Sequence, residues 1–217
     1  MDSKVMFKIG YGLYVLTVEG NGCIINTVSQ VTTIPNRVSV TVNKQNYTHD
    51  ILLEKGTFNV SILTTEVPFS IFERFGFHSG KDVNKFDGFN SIATSDNGVY
   101  YLTEYTNAYI SGKVVNSLDL GTHTMFIADV TDCKVLSDTS SVTYDYYHKN
   151  IKPKPQPTKD AIKGYRCTIC GYIYDGDTLP DDFVCPICKH GASDFEKINY
   201  ERSNIDMNLK GTKTKKI

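Results

Sequence analysis

Two closely spaced cysteine pairs constrain this chain more than any other feature. Four of the six cysteines lie within 22 residues, as Cys167 with Cys170 and Cys185 with Cys188, each pair in the spacing C-x-x-C. Two such pairs around a turn-rich segment are typical of a tetrathiolate metal site, because each pair forms a tight turn that aims both sulfurs at one ion. Tetrahedral sulfur ligation suits zinc and iron alike, so the spacing predicts the site and leaves the metal open.

The alternative is a pair of local disulfides in a secreted scaffold. The N-terminal sequence MDSKVMFKIGYGLYV has no basic start followed by an apolar run and a small-residue cleavage site. Disulfides are rare in the cytosol. The sequence therefore favours a cytoplasmic location and a metal site.

Composition excludes several classes of protein. Of 217 residues, 40% are hydrophobic and 22% charged, which is typical of a globular chain and not of a disordered one. Charged or amide residues interrupt every apolar segment before it reaches the roughly 20 residues of a membrane helix, so no membrane association is expected. A net charge of -1 argues against a nucleic-acid partner.

Charge and proline content divide the chain. Lys and Arg number 11 against 15 Asp and Glu over residues 1–150, and 3 against 6 over residues 164–200. Between these acidic regions, residues 151–163 are basic and hold three of the seven prolines, which favours an extended, semi-rigid linker. We therefore predict a first domain (1–150), a linker (151–163), a small metal domain (164–200) and a basic tail (201–217).

The first domain is predicted to be mainly β. Alternating apolar and polar residues predict strands over residues 12–18, 22–31, 37–42, 57–63, 99–102, 108–115 and 122–130. Helices are expected only over 47–55, with Thr48 as N-cap, and over 68–75. Strands without intervening helices favour an antiparallel barrel or sandwich. Neither a G-x-G-x-x-G fingerprint nor a P-loop occurs.

The metal domain resembles rubredoxin over residues 164–198. The segments that carry the resemblance are YRCTICGYIYDG (165–176), LPDDFVCPIC (179–188) and DFE (194–196). The resemblance implies one iron held by Cys167, Cys170, Cys185 and Cys188, with an apolar box of aromatic residues at 165, 172, 174, 183 and 195. A zinc ribbon remains the alternative, and zinc is a possible substitute for iron.

Two positions depart from the rubredoxin pattern. The stretch between the cysteine pairs, residues 171–184, is shorter than in free-standing rubredoxins and is more similar to the tail domain of rubrerythrins. Lys189 stands where the second cysteine turn usually has glycine, which is expected to strain or reshape one N–H-to-sulfur turn. Neither departure removes a ligand.

The first domain resembles the flavin reductase-like domain of flavoredoxins and ferric or flavin reductases. The segments are GCIINTVSQVTTIP (22–35), VTVNKQNYT (40–48), SGKDVNKF (79–86) and GTHTMF (121–126), in this order. Each is weak alone, and the four in order carry the resemblance. It implies an FMN-binding antiparallel split β-barrel over residues 5–150.

The same resemblance implies which residues contact FMN. The polar edge of the flavin ring needs hydrogen-bond partners and its phosphate needs cations and N–H or O–H donors. The expected contacts are Asn26, Thr27, Val28, Ser29, Gln30 and Thr32 near the ring, and Asn43, Lys44, Asn46 and Thr48 near the phosphate. Lys85, His123 and Tyr147 follow from the family pattern.

Each of these residues also has an ordinary structural interpretation. Asn26 and Thr48 suit strand-end and N-cap bonding, His123 suits a satisfied histidine at the barrel edge, and Lys85 suits a solvated loop. Cys23 and Cys133 are predicted to be core residues. No role is assigned to the other four histidines, which are His49, His78, His148 and His190.

The combination of domains resembles the high-molecular-weight rubredoxin family. The resemblance implies an oxidoreductase in which FMN accepts a hydride from NADH or NADPH, with NADH preferred, and passes single electrons to the iron. It also implies a flavodiiron-type protein that reduces oxygen or nitric oxide as the electron acceptor, and a homodimer. The cofactors carry the chemistry, so no catalytic side chain is expected.

Two other functions remain open from the sequence. A flavin barrel without redox function, tethered to a structural zinc ribbon, would act as a binding module. A free flavin reductase would release reduced FMN and leave the iron idle. The visible spectrum and the metal content separate these possibilities.

Overall fold

The chain forms two compact units, Met1–Pro153 and Lys154–Ile217, and the division falls inside the predicted linker. The computed structural model describes residues 5, 8–153, 163–169, 172–185 and 190–199. The tail 201–217, most of the linker and three residues central to the sequence argument, Cys170, Cys188 and Lys189, lie outside the described residues.

The first unit is built on a seven-stranded antiparallel sheet in the order β2-β1-β5-β8-β9-β4-β3. A two-stranded ribbon, β6 with β7, lies beside it. The strands are β1 (Tyr14–Val18), β2 (Asn21–Ile25), β3 (Val28–Thr33), β4 (Asn36–Asn43), β5 (Thr57–Leu63), β6 (Ile92–Thr94), β7 (Tyr100–Leu102), β8 (Thr106–Asp119) and β9 (His123–Val135).

Alternation along the strands accounts for the core of this sheet. In β4, Val38, Val40 and Val42 are at most 4% exposed and the residues between them are half-buried, because successive side chains point to opposite faces. They pack with Leu16, Phe58 and other buried residues of one apolar cluster. The prediction of a mainly β, antiparallel first domain is confirmed.

A second apolar cluster joins the short helices to the sheet. Helix α2 (Phe69–Phe72) continues into a π-helical turn (Glu73–Phe77), and helix α3 (Tyr144–Tyr146) into another (Tyr147–Ile151). Across these helices the rings of Phe72 and Tyr147 lie 4.4 Å apart. Sequence periodicity did not predict α3, because one short turn carries no helical repeat.

Two local predictions were wrong. The segment 22–31 is not one strand, since β2 ends at Ile25 and β3 begins at Val28. Helix α1 (Tyr47–Lys55) has the predicted bounds, but its N-cap is Asn46 and not Thr48. Thr48 is instead buried in the first turn, where its hydroxyl donates to Asn21 Oδ1 at 3.0 Å.

The second unit contains a small antiparallel sheet in the order β11-β10-β12. Its strands are β10 (Lys163–Cys167), β11 (Ile173–Tyr174) and β12 (Phe195–Asn199), and a 3₁₀ turn (Ala192–Asp194) precedes β12. Cys167 ends β10 and is 1% exposed. Among the described residues, no helix of either unit is long and apolar enough to cross a membrane.

Candidate functional site

The end of β4 and the start of β9 meet at one edge of the large sheet. Asn43 pairs with His123 in the antiparallel register, and the Lys44 amide donates to the Thr122 carbonyl at 3.0 Å. His123 Nδ1 lies 2.9 Å from the Thr122 hydroxyl. This edge therefore brings together residues from two motifs, 40–48 and 121–126, that lie far apart in the sequence, and we call it the β4–β9 edge.

The β4–β9 edge is also the place where α1 begins. Asn43 Oδ1 accepts a hydrogen bond from the Gln45 amide, and the Asn43 carbonyl accepts one from the Asn46 amide. Asn46 has the extended backbone of an N-cap residue, but its side chain makes no capping bond. The His49 amide donates to the Asn46 carbonyl at 2.8 Å, and the nine-residue helix begins beside Lys44 without a side-chain cap, an arrangement suited to an anion.

Lys44 is paired with a carboxylate that sequence reasoning missed. Its Nζ lies 2.7 Å from both carboxylate oxygens of Asp119, the last residue of β8. The Gly121 amide donates to Asp119 Oδ1 at 2.8 Å. The hydrogen bond from Lys44, reinforced by the one from Gly121, lowers the pKa of Asp119 below its ordinary value.

Residues 26–28 join β2 to β3 near the same end of β4. Thr27 Oγ1 donates to the Thr41 carbonyl at 3.0 Å, two residues before Asn43. Asn26 is half-buried, and among the described residues no hydrogen bond engages its side-chain amide. This amide and the outer edge of β3, which ends the strand order, offer donors and acceptors to a flat heterocycle with a polar rim.

The other β3 candidates extend away from the β4–β9 edge. Gln30 lies opposite Val38, five residues from Asn43 along β4, or roughly 17 Å at the rise of an extended strand. Its side chain donates to Asn36, and the Thr32 hydroxyl donates to the Pro35 carbonyl near the hairpin tip. Ser29 is exposed, and its hydroxyl is 3.4 Å from the Gln30 carbonyl. The structure therefore separates Gln30 and Thr32 from the phosphate candidates.

Lys85 is buried rather than solvated, so that structural interpretation was wrong. The residue is 5% exposed, and its Nζ donates to the carbonyls of Gly22 and Phe75 at 2.8 and 3.1 Å. Burial lowers the pKa of its ammonium group. Burial also raises the pKa of the neighbouring Cys23 thiol to about 11. The Lys85 ammonium group thus donates two hydrogen bonds to backbone carbonyls of the chain itself.

The buried hydroxyl of Thr48 lies in the same region as Lys85. The Thr48 hydroxyl donates a hydrogen bond to Asn21 Oδ1. The same Asn21 oxygen accepts one from the Gly22 amide, and Asn21 Nδ2 donates one to the Gly80 carbonyl. A clamp of Asn21, Thr48 and Lys85 therefore fastens the loop around Gly80 and the start of α1 to β2. Two residues expected to contact FMN are brought together here, with their polar side-chain atoms turned into protein.

Tyr147 and two cysteines are placed as follows. Tyr147 is 7% exposed and packs against Phe72 in the second apolar cluster. None of the residues of the β4–β9 edge belongs to that cluster. Cys23 is 2% exposed, as predicted for a core residue. Cys133 is exposed near the end of β9, so its prediction as a core residue was wrong.

One unassigned histidine proves to be structural. His49 is 5% exposed, with Nε2 at 2.9 Å from Thr124 Oγ1 and Nδ1 at 3.1 Å from Asp50 Oδ1. It ties α1 to β9 directly behind the β4–β9 edge. No sequence signal links His49 to Thr124, because they lie 75 residues apart.

The metal candidates in the second unit occupy two turns of like construction. The Cys167 amide donates to the Tyr172 carbonyl, and the Cys185 amide donates to the His190 carbonyl, both at 2.8 Å. In each turn the first cysteine thus bonds to the carbonyl five residues later, and both thiols are buried, at 1% and 0% exposure. Their partners Cys170 and Cys188 lie outside the described residues.

Aromatic rings of the second unit pack against one another. The ring of Phe183 lies 4.8 Å from Tyr174, 5.3 Å from Phe195 and 6.4 Å from Tyr172. Four of the five aromatic residues expected around the metal therefore form one cluster. The fifth, Tyr165, has Lys197 Nζ at 5.8 Å over its ring.

The donors present fit both implied groups. An uncapped helix start, Lys44 and the open amide of Asn26 suit a flavin with a phosphate tail. Two buried thiols on matched turns, each with a sequence partner three residues later, suit a thiolate-bound iron. Sequence reasoning missed Asp119, although Asp119 and Gly121 form a D-x-G turn signal directly before the histidine motif.

Comparison with known families agrees with this division. Residues 6–154 match the flavin reductase like domain family, and residues 165–196 match the rubrerythrin, rubredoxin-like domain family. A solved NADH:FAD oxidoreductase of Streptomyces globisporus C-1027, in complex with NAD and FAD fragments, superposes with a TM-score of 0.60 at 22% identity over 72% of this chain and 92% of that one. An FMN-binding protein from Thermus thermophilus gives a TM-score of 0.53 at 22% identity over 59% and 72% of the two chains.

Two relatives of known name are similar over most of their length. The ferric-chelate reductase (NAD(P)H) of Archaeoglobus fulgidus is 42% identical over 73% of this chain and 95% of that protein. The high molecular weight rubredoxin of Moorella thermoacetica is 39% identical over 91% of this chain and the whole of that protein. The chain therefore belongs to the high molecular weight rubredoxin family, in which a flavin reductase like domain precedes a rubredoxin-like domain.

Proposed function

We propose that this chain is an NAD(P)H-dependent oxidoreductase that transfers electrons from the nicotinamide through FMN to a rubredoxin iron. When bound, the flavin accepts two electrons as hydride and releases them singly to an iron that accepts one at a time. The observation that carries the proposal is the presence, on one chain, of a flavin reductase like domain and of a rubredoxin-like domain in which Cys167 and Cys185 are buried.

In this proposal the β4–β9 edge holds the FMN phosphate. Lys44 supplies charge, Asn46 and the first-turn amides of α1 supply donors, and Asn43 and His123 frame the edge. Thr48 and Lys85 support the cofactor through the clamp rather than by a side-chain contact. Tyr147 contributes through its packing against Phe72 in the second apolar cluster.

The ring lies in this proposal beside residues 26–30. Asn26 and the Thr27 and Val28 backbone meet its polar rim, while Ser29 and Gln30 extend the hydrogen-bonding surface along β3. Thr32 marks the far end of that strand. The residues orient the ring, and the sheet beneath them keeps water from one of its faces.

The iron is held in this proposal by Cys167, Cys170, Cys185 and Cys188. Cys167 and Cys185 are buried, as thiolate ligands of an iron in a water-poor site would be, and the aromatic cluster around Phe183 lies in the same unit. Zinc is the substitute that the same four thiols also accept. Residues 1–150 form the flavin domain, 151–163 the linker and 164–200 the iron domain.

A flavodiiron-type protein is the proposed electron acceptor, NADH or NADPH the donor, and a homodimer the working assembly. The support is family membership alone, since both partners lie outside this chain. Oxygen consumption by a purified flavodiiron protein, driven by NADH and dependent on this chain, tests the acceptor. Sedimentation of the full chain tests the dimer.

The central experiment combines metal analysis with an anaerobic NADH titration of the full chain. We expect iron, FMN identified by mass after release, and bleaching of both the flavin band and the iron–thiolate charge-transfer band. Zinc in place of iron in protein from native cells would support the binding-module alternative. Absence of bound flavin after reconstitution would overturn the proposal.

A second function is favoured by one relative. The similarity to a ferric-chelate reductase covers 95% of that protein and 73% of this chain, so the flavin domain alone is a candidate for reducing free flavin or chelated Fe(III). A version of the full chain with Cys185→Ser separates the two functions. Undiminished reduction of the natural acceptor by that variant would assign the activity to the flavin domain.

A further inference from the structure

The ammonium group of Lys44, at the β4–β9 edge, is paired with a carboxylate of the chain itself. Asp119 accepts from Lys44 through both carboxylate oxygens at 2.7 Å, while the Gly121 amide holds one of those oxygens at 2.8 Å. The side chain of Asp119 is 70% exposed and that of Lys44 is 35% exposed. The carboxylate is thus fixed at the surface by the turn backbone and not buried with its partner.

The other charges near the start of α1 are paired in the same way. Lys81 Nζ lies 4.0 Å from Asp50 Oδ2 and 5.5 Å from the ring of Tyr47. Asp50 also faces His49 Nδ1 at 3.1 Å. Lys44 and Lys81 therefore already have carboxylate partners, and the buried Lys85 donates to two backbone carbonyls, so an incoming anion does not meet an open basic patch.

We infer that Asp119 sets the affinity of the β4–β9 edge for the flavin phosphate by competing with it for Lys44. A phosphate dianion and a carboxylate seek the same ammonium group, and the carboxylate that loses remains nearby and repels the dianion. Asp119 is thereby a specificity-determining residue: it weakens binding of phosphorylated flavin and leaves riboflavin unaffected. The inference rests on the proposed function, in which Lys44 faces the phosphate.

The test measures the affinity of the apoprotein for FMN and for riboflavin. Binding of each flavin is monitored by the quenching of its fluorescence. Asp119→Asn keeps the shape and the acceptor for the Gly121 amide but removes the charge. We expect FMN to bind about fivefold more tightly, the size set by one unit charge near a surface ion pair, with riboflavin unchanged. The FMN gain is expected to shrink at 1 M salt, where the screening length is about 3 Å.

Two further variants make the result decisive. Glu19→Gln removes the same charge from an exposed carboxylate that pairs with Lys55 at 3.4 Å, and is expected to leave both affinities unchanged. Asp119→Ser, which also keeps an acceptor for Gly121, replaces Asp119→Asn if thermal unfolding shows that the asparagine variant is not folded. Equal tightening of FMN by Glu19→Gln would overturn the inference, because a general charge effect would then suffice.

Lys44→Met distinguishes failure of the inference from failure of the proposed function. If it leaves FMN affinity unchanged, Lys44 does not face the phosphate and the phosphate assignment fails. If it weakens FMN while Asp119→Asn changes nothing or weakens FMN as well, the assignment stands and the competition by Asp119 is refuted. Tightening of FMN by Asp119→Asn that becomes smaller in the Lys44→Met background, where only the repulsion by Asp119 is left to remove, confirms the inference, and equal tightening in both backgrounds would refute the competition for Lys44.

Discussion

The two candidate sites of this chain are assembled over very different distances in sequence. The metal ligands lie within 22 residues, and each cysteine turn is closed by a hydrogen bond that spans five residues. The flavin candidates come from several strands and one helix, and the pair of Lys44 and Asp119 spans 75 residues. Spacing alone therefore predicts the first site, whereas the register of a whole sheet creates the second.

The difference has an energetic consequence. The described part of the second unit has one small sheet and few buried side chains, so the proposed four-cysteine iron site would carry much of its stability, as in other small metal domains. The first unit has two apolar clusters, which supply its core. Loss of a metal ligand is expected to destabilise only the second unit. A substitution that distorts the large sheet is expected to change the β4–β9 edge as well.

Loss of one metal ligand tests this separation most severely. Cys185 is fully buried, so Cys185→Ser replaces a thiolate by a weak ligand without opening space for another. We expect loss of the iron charge-transfer band and a fall of about 100-fold or more in electron delivery to the acceptor, since structural metal affinity is coupled to folding. Absorbance and acceptor reduction measure the effect.

The barrel is expected to be indifferent to that change. The midpoint of its thermal unfolding and its FMN affinity should match the wild type in Cys185→Ser. Cys133→Ser, at an exposed cysteine of β9, is the matched control and should leave all four measurements unchanged. A barrel that loses stability with the iron would contradict the separation of the two units.

The opposite test places a methyl group inside the sheet. Gly112 of β8 lies opposite Phe58 of β5, and a Cβ at Gly112 would lie 2.4 Å from the Phe58 ring. Because Phe58 is fully buried, Gly112→Ala should destabilise the first unit by about 2 kcal/mol, the usual cost of overpacking. Urea unfolding followed by far-UV circular dichroism measures it.

A glycine in open space supplies the control for this test. Nothing lies within 4 Å of a Cβ built on Gly10, so Gly10→Ala should change the free energy of unfolding little. The iron charge-transfer band should be intact in both variants. Loss of the iron band in Gly112→Ala would show that the second unit depends on the barrel.

The sequence predicts elements better than their junctions. Strand and helix positions followed from alternation and from Gly, Pro and Asn punctuation, and α1 begins and ends where predicted. The break between β2 and β3 was missed because residues 22–31 alternate without a turn signal strong enough to interrupt them. The N-cap was missed because Asn46 and Thr48 are both good cap residues, and only the packing of Thr48 against Asn21 decides between them.

The sequence predicted which residues belong to the candidate site, but not where their side chains point. Motif order selected Lys44 and Lys85 alike, but one lies at the surface beside Asp119 and the other is buried against two carbonyls. A sequence pattern gives no direction for a lysine side chain, because that depends on which strands and loops surround it. The D-x-G turn signal marks Asp119 in the sequence, but its pairing with Lys44 was not predictable for the same reason, because the sheet alone makes them neighbours.

The buried lysine allows a third, smaller test of the comparison. If Lys85 acts through the clamp, Lys85→Met should leave the Gly22 and Phe75 carbonyls without their donor and lower stability by about 1.5 kcal/mol. FMN and riboflavin affinities should fall by the same factor, because no phosphate contact is lost. Lys81→Met, at an exposed lysine of the same loop, is the control for stability.

A selective loss of FMN over riboflavin in Lys85→Met would contradict the clamp. It would indicate that the ammonium group leaves its two carbonyls to meet the phosphate. Calorimetric unfolding combined with fluorescence titration separates the two outcomes.

The smallest expected effect concerns a cross-strand pair of β8 and β9. The Tyr109 hydroxyl donates to Asp132 at 2.6 Å, and this bond raises the pKa of Tyr109 from 10.0 to about 12. The folded chain therefore keeps a proton between pH 10 and 12 that the unfolded chain releases, so stability from this group is lost as pH rises through that window. Tyr109→Phe should lower the free energy of unfolding by about 1 kcal/mol at pH 8, and this difference from the wild type should narrow as pH rises from 10 towards 12.

Tyr101→Phe is the control, because the ring of Tyr101 stacks on that of Tyr109 at 4.0 Å, and its difference from the wild type should show no such narrowing. Urea unfolding across this pH range measures both gaps, and a gap for Tyr109→Phe that stays constant would mean that the hydrogen bond to Asp132 does not hold the proton in solution.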